Sequence, residues 1–278
     1  MRELRVTLID VGWGDSIFIE YIDNNGIPHY GLIDSNDSKY YRSSFIFLKK
    51  FFERKNVRLP DDKPVFEFVM LSHGHTDHGQ GLKAIMREYG TQNFWYPKST
   101  QWSSMTELIR YANLSSNVDH HQSIDESKTN VSIGNLPIRI LWPLYDQIDQ
   151  HENNNSVVAE MTLGTVSIIL SGDAEGQVWN QISGNLPHTQ AKMFFKVPHH
   201  GSINGTIYQG GYPWFSAVSG IQDLELGISS HVRPHTHPDQ PVIDLFDHNS
   251  KKYYRTDEHY HITFFTDGNN ADVKYSHV

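Results

Sequence analysis

The sequence predicts an α/β fold, an αββα sandwich in which two mixed β-sheets pack face to face with helices outside. Apolar strand-like segments and amphipathic helical segments follow one another in the same order in each half of the chain. That order is typical of two sheets that share one buried face and cover the other face with helices. Because the 278 residues contain no linker, low-complexity tract or short repeat, we expect a single domain over residues 1–278.

The first half begins with three strand-like segments at residues 6–11, 16–21 and 29–34, which we expect to form an antiparallel meander. Apolar side chains then recur at helical spacing over residues 43–56. Next, the pattern predicts a buried strand at 65–71, a helix at 81–89, a strand at 93–96 and a helix at 104–113. We expect the polar stretch 115–130 to be a loop or mobile edge.

The second half repeats the alternation of strands and helices. Strands are predicted at 137–142, 156–163, 165–170, 192–197, 214–219 and 262–265, and helices at 174–182 and 242–248. The strands at 156–163 and 165–170 are joined tightly at Gly164, which predicts a hairpin.

Composition limits what the chain can bind and where it works. The net charge is −9 and there are no cysteines, which argues against a protein that coats nucleic acid and excludes thiolate metal ligands. No apolar run is long enough to span a membrane, and the N-terminal residues lack the apolar core of a signal peptide, so we expect a cytoplasmic protein without membrane partners. The oligomeric state is not encoded in these patterns.

Three imidazoles and a carboxylate follow the predicted strand at 65–71 within six residues. His73 and His75, two apart on an extended segment, point the same way and can reach one metal ion, whereas Asp77 and His78 can reach a second. Two such ions could share a bridging water and lower its pKa. The alternative is a chance cluster of solvated histidines in a turn.

Two further predicted strands also end in polar side chains. Asp173 follows the strand at 165–170, where it could bridge two metals or simply cap the next helix. His199, His200 and Ser202 follow the strand at 192–197, where a surface turn is the alternative. One strand that ends in possible metal ligands could occur by chance. Three such strands in one chain are much less easily explained by chance.

These motifs resemble the metallo-β-lactamase superfamily, and within it the hydrolase domain of the DNA-uptake protein ComEC and its free-standing relatives. The resemblance runs from about residue 6 to residue 246. It is carried by the sequences SHGHTDH (72–78), SGD (171–173), PHHGS (198–202), DVGWGDS (10–16), LID (32–34), NNNSVV (153–158) and HP (237–238). The ComEC branch usually has Gln where this chain has Trp13.

The resemblance implies which residues hold metal. It implies the ligands His73, His75, Asp77, His78, Asp173 and His199. His199 is preferred over His200, and we expect one tight site (Asp77, His78, Asp173, His199) and one weaker site (His73, His75, Asp173). His151, the carbonyl of an asparagine such as Asn155, or water would complete the weaker site. Asp34, Asn155, His200 and Ser202 are expected beside the ligands or the substrate.

The function that these features predict is a metal-dependent hydrolase, a phosphodiesterase or nuclease that uses a metal-activated hydroxide. Asp77 and His237 are the catalytic candidates, with His237 contacting a phosphate or protonating the leaving group. One or two divalent ions are expected, zinc first, manganese or iron as alternatives. The substrate is expected to be a phosphodiester, with single-stranded nucleic acid as one form of it. Rival hypotheses are a small-molecule ester, lactone or choline-phosphodiester hydrolase, and a metal-stabilised interaction module of a defence or toxin-like system.

Overall fold

The computed structural model describes residues 2–99, 102–231 and 233–276. In these ranges the strands are β1 (Glu3–Leu8), β2 (Ile17–Ile22), β3 (Pro28–Ile33), β4 (Phe66–Met70), β5 (Thr91–Tyr96), β6 (Val118–Ser123), β7 (Ser132–Ile133), β8 (Leu136–Trp142), β9 (Val158–Leu163), β10 (Val166–Leu170), β11 (Lys192–Lys196), β12 (Asp223–Ile228), β13 (Lys252–Arg255), β14 (His261–Thr266) and β15 (Ala271–Ser276). The helices are α1 (Ser43–Arg54), α2 (Thr76–Gly79), α3 (Leu82–Tyr89), α4 (Ser103–Leu114), α5 (Gly176–Ile182), α6 (Ile203–Thr206), α7 (Pro213–Val218), α8 (Gln240–His248) and α9 (Thr256–His259). Short 3-10 helices cover Glu152–Asn155, Ser183–Asn185 and Pro198–Gly201.

The described strands form two mixed sheets. The first has the order β15-β14-β1-β2-β3-β4-β5-β6, antiparallel from β15 to β3 and parallel from β3 to β6. The second has the order β13-β12-β11-β10-β9-β8-β7, parallel from β13 to β10 and antiparallel beyond. Parallel strands run in the same direction and are covered on both faces. The polar residues that follow their carboxyl ends therefore lie together at one edge of each sheet.

Three apolar cores hold the layers together. On β4, Phe68 faces the core between the two sheets, while its neighbour Val69 faces the core beneath α1, α3 and α4. On β10, Ile168 faces the same central core and Ile169 faces the core beneath α5, α7 and α8. Each of these side chains is fully buried, which stabilises the fold by about 1.5–3 kcal/mol per residue. The predicted αββα arrangement is therefore confirmed. None of the described helices has the length and apolar character needed to cross a bilayer.

One secondary-structure prediction is wrong. Residues 214–219, predicted as a strand, belong to helix α7, because Trp214, Phe215 and Val218 share one buried helical face behind Pro213 at the first turn. The stretch 115–130, predicted as a loop or mobile edge, contains the strand β6, which lies at the edge of the first sheet. Of the β6 residues only Val118 is buried, so the segment carries no apolar alternation.

The sequence reading also missed β12, β13 and β15. These strands have charged or polar residues at several positions, and β13 and β15 are edge strands, where one side of the backbone ladder is unpaired. Edge strands are commonly short and charged, which protects them from pairing with other chains and weakens their hydrophobic signal.

Candidate metal centre

Three loops meet at one edge of the sandwich, where the carboxyl ends of β4, β10 and β11 lie. The loop after β4 is joined to the second sheet by the hydrogen bond from Val157 N to Ser72 O (2.8 Å). The loop after β11 is joined to the one after β10 by the bond from His199 N to Gly172 O (3.2 Å). Side chains from both sheets therefore meet in one place, although they are separated by up to about half of the chain.

Asp77, His78, Asp173 and His200 form what we call the closed cluster. His78 Nε2 lies 3.2 Å and His200 Nε2 3.3 Å from Asp173 Oδ2. Asp77 Oδ2 lies 3.8 Å from each of the same two nitrogens. The ligand atoms of a tetrahedral ion with bonds of 2.0–2.1 Å are separated by about 3.3 Å, so the spacing suits a divalent metal.

The hydrogen bonding of the closed cluster is incomplete within the described residues. His78 Nε2, His200 Nε2 and Asp173 Oδ1 are buried and make no hydrogen bond. A buried polar group without a partner costs about 1–3 kcal/mol. A cation placed among these atoms would satisfy the imidazole nitrogens and a carboxylate oxygen together, so the donor set fits a metal ion.

Charge coupling inside the closed cluster shifts the pKa of each member. Burial alone would raise the pKa of Asp173, but the positive charges of His200 and His78 outweigh burial and hold it well below its ordinary value. Burial would lower the pKa of His78 and of His200, yet the Asp173 carboxylate and its neighbours raise both. These shifts favour protonated imidazoles beside an ionised Asp173 carboxylate when no metal is bound.

His73 and His75 form what we call the open pair. His73 Nε2 lies 3.0 Å from His75 Nδ1 and 3.9 Å from Asp173 Oδ2, so Asp173 is the carboxylate shared with the closed cluster. His75 is half-buried and packs edge-on against Trp102, with ring centroids 4.7 Å apart. Burial, the largest effect, lowers the pKa of both imidazoles, so both are neutral and able to bind metal at pH 7.

The asparagine that lines the site cavity is not the expected one. Asn155 Oδ1 accepts a hydrogen bond from Asp149 N (2.7 Å), and Asn155 lines a different cavity. His151 is exposed and lines none of the described walls of the site cavity. Asn153 does line that cavity, and its Oδ1 is buried without a hydrogen bond.

The structure places His200, rather than the predicted His199, next to Asp77 and Asp173. His200 is fully buried and belongs to the closed cluster, whereas His199 Nδ1 lies 3.5 Å from Glu175 Oε1, at the cavity wall. The reason is the backbone: His199 and His200 have φ values of 48° and 55°, in the left-handed region. The prediction assumed that the extended strand continued to the ligand, and this bend turns the next side chain inward instead.

Ser202 also differs from its predicted place. Its hydroxyl accepts a hydrogen bond from Asn204 N (3.0 Å) and caps α6, and the residue is absent from the described lining of the site cavity. Ser202 therefore has a local structural role, which satisfies one of the free amides that begin a helix.

Asp34 lies behind the imidazole of His78. Its Oδ2 is 2.7 Å from His78 Nδ1, and it accepts hydrogen bonds from Ser72 N (2.7 Å) and Ser72 Oγ (2.5 Å). A carboxylate behind an imidazole fixes the ring so that Nε2 faces the metal. Asp34 is fully buried with a φ of 60°, so the local backbone is bent to place it.

Sequence reasoning missed two buried charges under the closed cluster. Lys196 forms an ion pair with Asp15, donates to Gly172 O (3.0 Å) and lies 3.8 Å from Asp173 Oδ1. Burial opposes its charge, but Asp15 and Asp173 raise the pKa of Lys196. Two sequence features could have pointed to this ion pair. A lysine ends the apolar strand β11, and Asp15 follows Gly14, where the backbone is too close to Asp77 O to leave room for a Cβ atom.

A third missed residue is Glu152, which holds the loop of the open pair. Its Oε1 accepts from Gly74 N (2.7 Å), and its Oε2 accepts from Ser99 Oγ (2.7 Å) and Asn155 Nδ2 (3.0 Å). No sequence pattern pointed to it.

The metal centre opens into a cavity of about 240 Å³. Its lining combines metal-site residues with a histidine-rich loop and comprises Trp13, His75, Asp77, Asn153, Asp173, His199, His235 and His237. His237 Nδ1 lies 3.2 Å from Asp239 Oδ1, and its ring stacks near Trp13 with centroids 5.5 Å apart. Burial lowers the pKa of His237, although Asp239 opposes that shift.

Comparison with known proteins supports this assignment of the fold. No protein-family model matches the chain. The chain is 26% identical to ComE operon protein 3 of Bacillus subtilis (strain 168) over 277 residues, covering 92% of this chain and 32% of that protein. It is 30% identical over 136 residues to the uncharacterized protein YcaI of Escherichia coli (strain K12), covering 49% of this chain and 15% of that protein. The chain thus spans about a third or less of the length of these relatives.

A solved structure gives the same answer at the level of architecture. CmlA, a diiron beta-hydroxylase from Streptomyces venezuelae, superposes with a TM-score of 0.54 at 13% identity, covering 94% of this chain and 54% of that one. At this identity the likeness concerns the fold. The chain therefore has the metallo-β-lactamase fold, and along nearly its whole length it is similar to the ComEC-type proteins, as the sequence motifs predicted.

Proposed function

We propose that this protein is a metal-dependent hydrolase that cleaves phosphodiesters. The observation that carries the proposal is the closed cluster, in which four ligand-type side chains are linked by nitrogen–oxygen distances of 3.2–3.8 Å and include buried atoms without a hydrogen bond. Two of the four, Asp77 and Asp173, line an open cavity. A purely structural metal site has no need of a cavity, whereas a catalytic one keeps a position open for substrate or water.

Asp77, His78, Asp173 and His200 would hold the first ion, and His73, His75 and Asp173 the second, with Asn153 as a further oxygen donor. Bound divalent ions supply Lewis-acid stabilisation of phosphoryl oxygens and lower the pKa of a bound water. Histidine and carboxylate donors suit zinc, with manganese and iron as alternatives. The diiron site named for CmlA supports two ions in this fold.

His237 would act on the substrate side of the cavity. Because Asp239 faces His237 Nδ1, that nitrogen would carry a proton, and Nε2 would give a proton to a leaving oxygen or donate to a phosphoryl oxygen only in the protonated imidazolium form, which the Asp239 carboxylate favours. Asp239 Oδ2 also accepts a hydrogen bond from Ile203 N (2.7 Å), so the pair is anchored to the start of α6. Loss of a proton donor typically lowers turnover by about 10²–10⁴-fold.

The decisive experiment compares wild-type protein with Asp173→Ala and His237→Gln. Metal content and turnover of bis-p-nitrophenyl phosphate are measured for each. Asp173→Ala should lose bound metal and activity together, because Asp173 serves both sites. His237→Gln should retain metal and lose turnover. Equal activity in wild type and Asp173→Ala would overturn the proposal.

The small volume of the cavity favours one alternative in the same chemical class. A space of about 240 Å³ holds a single ester group better than a bulky substrate, so a small-molecule ester, lactone or choline phosphodiester is the second candidate. Turnover of such esters without turnover of bis-p-nitrophenyl phosphate would favour it. A chain that binds metal, melts at lower temperature on chelation and hydrolyses no substrate would instead be an interaction module.

A further inference from the structure

Four of the residues that line the cavity over the metal centre carry flat rings and belong neither to the closed cluster nor to the open pair. They are Trp13, His199, His235 and His237, and we call them the ring wall. Three separate segments supply them, namely the turn after β1, the loop after β11 and the loop between β12 and α8. Trp13 and His237 are half-buried and His235 is exposed, so the wall is open to a ligand.

Trp13 lies at the centre of the ring wall. The centroid of its indole is 4.6 Å from that of His235 and 5.5 Å from that of His237. The His237 ring is inclined by only 28° to the indole and by 27° to the His235 ring. The His199 ring follows at 6.0 Å from that of His237. Rings whose centroids lie about 4.5–7 Å apart attract one another, so these side chains support each other at the cavity.

The backbone around Trp13 is held in place without help from the indole. Gly12 and Gly14 have φ values of 74° and 96°, which glycine adopts without strain. Gly12 N donates to Asp10 Oδ1 (3.0 Å), and Trp13 O accepts a hydrogen bond from Asn36 Nδ2. A substitution at Trp13 should therefore change the ring wall and leave the turn intact.

The ring wall begins beside the closed cluster. The Trp13 indole lies 4.7 Å from the His200 ring, and His200 Nε2 lies 3.3 Å from Asp173 Oδ2. Asp173 and Asp77 line the same cavity as the ring wall. A ligand that fills this cavity therefore meets carboxylates of the closed cluster and the flat rings together.

The size of the cavity limits that ligand. The cavity measures about 240 Å³. A cavity of about 150 Å³ holds one benzene ring, which leaves space for a phosphoryl group and little for a linker between the two. An aromatic ring also gains more from the wall than a saturated ring of the same size, because its negative face and positive edge complement those of the indole.

We propose that the ring wall binds an aromatic ring joined directly to the phosphoryl group of the substrate, and that Trp13 determines this specificity. The inference rests on the proposed phosphodiesterase function and specifies its substrate class as aryl phosphodiesters. Trp13 binds the ring, while the closed cluster and the open pair provide the metal ligands.

The test measures binding of phosphonates, whose carbon–phosphorus bond is not hydrolysed, to zinc-loaded protein by isothermal titration calorimetry. Phenylphosphonate and cyclohexylphosphonate share the head group and the number of ring carbons, and methylphosphonate reports binding of the head group alone. Wild-type protein should bind phenylphosphonate roughly fivefold more tightly than cyclohexylphosphonate, a factor typical of one aromatic pair.

Variants of the ring wall should change this preference in a graded way. Trp13→Leu should bind the two cyclic phosphonates equally and keep its affinity for methylphosphonate. Trp13→Phe should keep most of the preference, because it retains an aromatic ring. His235→Ala changes an exposed position, so it should fold normally and lower the preference by about twofold.

The matched control is Tyr275→Leu, which also removes an exposed aromatic ring that packs against an imidazole. Tyr275 lies on β15, the outer strand of the first sheet, with its ring centroid 4.9 Å from that of His259. Its preference for phenylphosphonate should equal that of wild type. A preference lost equally in Tyr275→Leu and Trp13→Leu would contradict a specific role of Trp13.

Two further outcomes would overturn the inference. One is a wild-type protein that does not prefer phenylphosphonate, or a preference that survives in Trp13→Leu. The other is loss of methylphosphonate binding in Trp13→Leu, because Trp13 would then support His200 rather than the substrate.

Failure of this inference and failure of the proposed function give different results. If wild-type protein hydrolyses bis-p-nitrophenyl phosphate while phosphonate binding is insensitive to Trp13, the role of the ring wall is wrong and the phosphodiesterase stands. If the preference for phenylphosphonate depends on Trp13 and no phosphodiester is hydrolysed, the ring wall binds aromatic rings and the function assignment is wrong.

Discussion

The closed cluster and the open pair belong to one metal centre, but the protein supports them differently. In the closed cluster, nitrogen–oxygen distances of 3.2–3.8 Å link four side chains from both sheets, and Asp34, Asp15 and Lys196 contact these side chains from behind. The open pair consists of two neighbouring histidines of one loop, of which His75 is half-buried at the cavity wall. Its carboxylate neighbour Asp173 belongs to the closed cluster as well.

This difference shows how ligand number and support set the order of metal affinity. A site with all its donors held in place loses little conformational freedom when the ion binds, whereas a site short of a donor must recruit water. We therefore expect the closed cluster to fill first and the open pair to bind a second ion more weakly. The following experiments test that order, from the largest expected effect to the smallest.

Substitution of the two adjacent histidines should have very different effects. Loss of a residue that supports a metal ligand typically weakens metal binding by about 10–100-fold. His200→Ala removes a donor of the closed cluster itself, so it should weaken binding of the first ion by more than about 100-fold. His199→Ala should change that affinity by less than about threefold, because His199 lies at the cavity wall. Isothermal titration calorimetry with zinc measures both. Equal losses would contradict the placement of His200 in the cluster.

Removal of the carboxylate behind His78 should have an intermediate effect. Asp34→Asn leaves His78 without its anionic hydrogen-bond partner and should weaken the first ion by about 10–100-fold. Asp37→Asn is the matched control, because Asp37 is a buried carboxylate of the same loop that instead accepts hydrogen bonds from Ser44 N and Phe45 N at the start of α1. The control should lower the melting temperature and leave metal affinity unchanged.

Metal binding at the two sites should differ in its dependence on pH. The pKa of His78 and His200 in the metal-free protein is raised above the ordinary 6.5. Their protonated form therefore stabilises the metal-free fold fully below pH 6.5, and that contribution is lost as the pH rises through the raised folded-state values. The first ion must displace these protons, so its apparent affinity should rise with pH above 6.5.

The open pair should show no such coupling, because the pKa of His73 and His75 is lowered and both are already neutral at pH 7. Calorimetric titration at pH 7 in two buffers of different ionisation enthalpy counts the protons released by each ion. Proton release that accompanies the second ion and not the first would reverse the assignment of the two sites.

The smallest effect should come from the open pair itself. His75→Ala should abolish binding of the second ion and change the affinity for the first by less than about threefold, because His75 is not part of the closed cluster. Metal stoichiometry after dialysis, measured by plasma emission spectroscopy, should fall from about two to one. A protein that loses both ions on this substitution would show that the two sites are not separable.

Much of the fold could be predicted because hydrophobic periodicity is local. Four of the five residues in each of β4 and β10 are apolar, and the polar residues that follow these strands mark the edge of each sheet. Edge strands such as β13 and β15 were missed because they bury little apolar surface. The segment 214–219 was mistaken because a short run of buried aromatic side chains has the same composition in a strand and in a helix.

The sequence by itself determined the residue types of the metal centre and their position after apolar strands. The chemistry of histidine and aspartate, together with the absence of cysteine, was enough to predict a nitrogen and oxygen site. Only the tertiary structure decided which neighbour faces inward. The buried pair of Lys196 and Asp15 and the convergence of His78 and Asp77 with Asp173 and His200 arise from contacts between distant segments, which local periodicity does not encode.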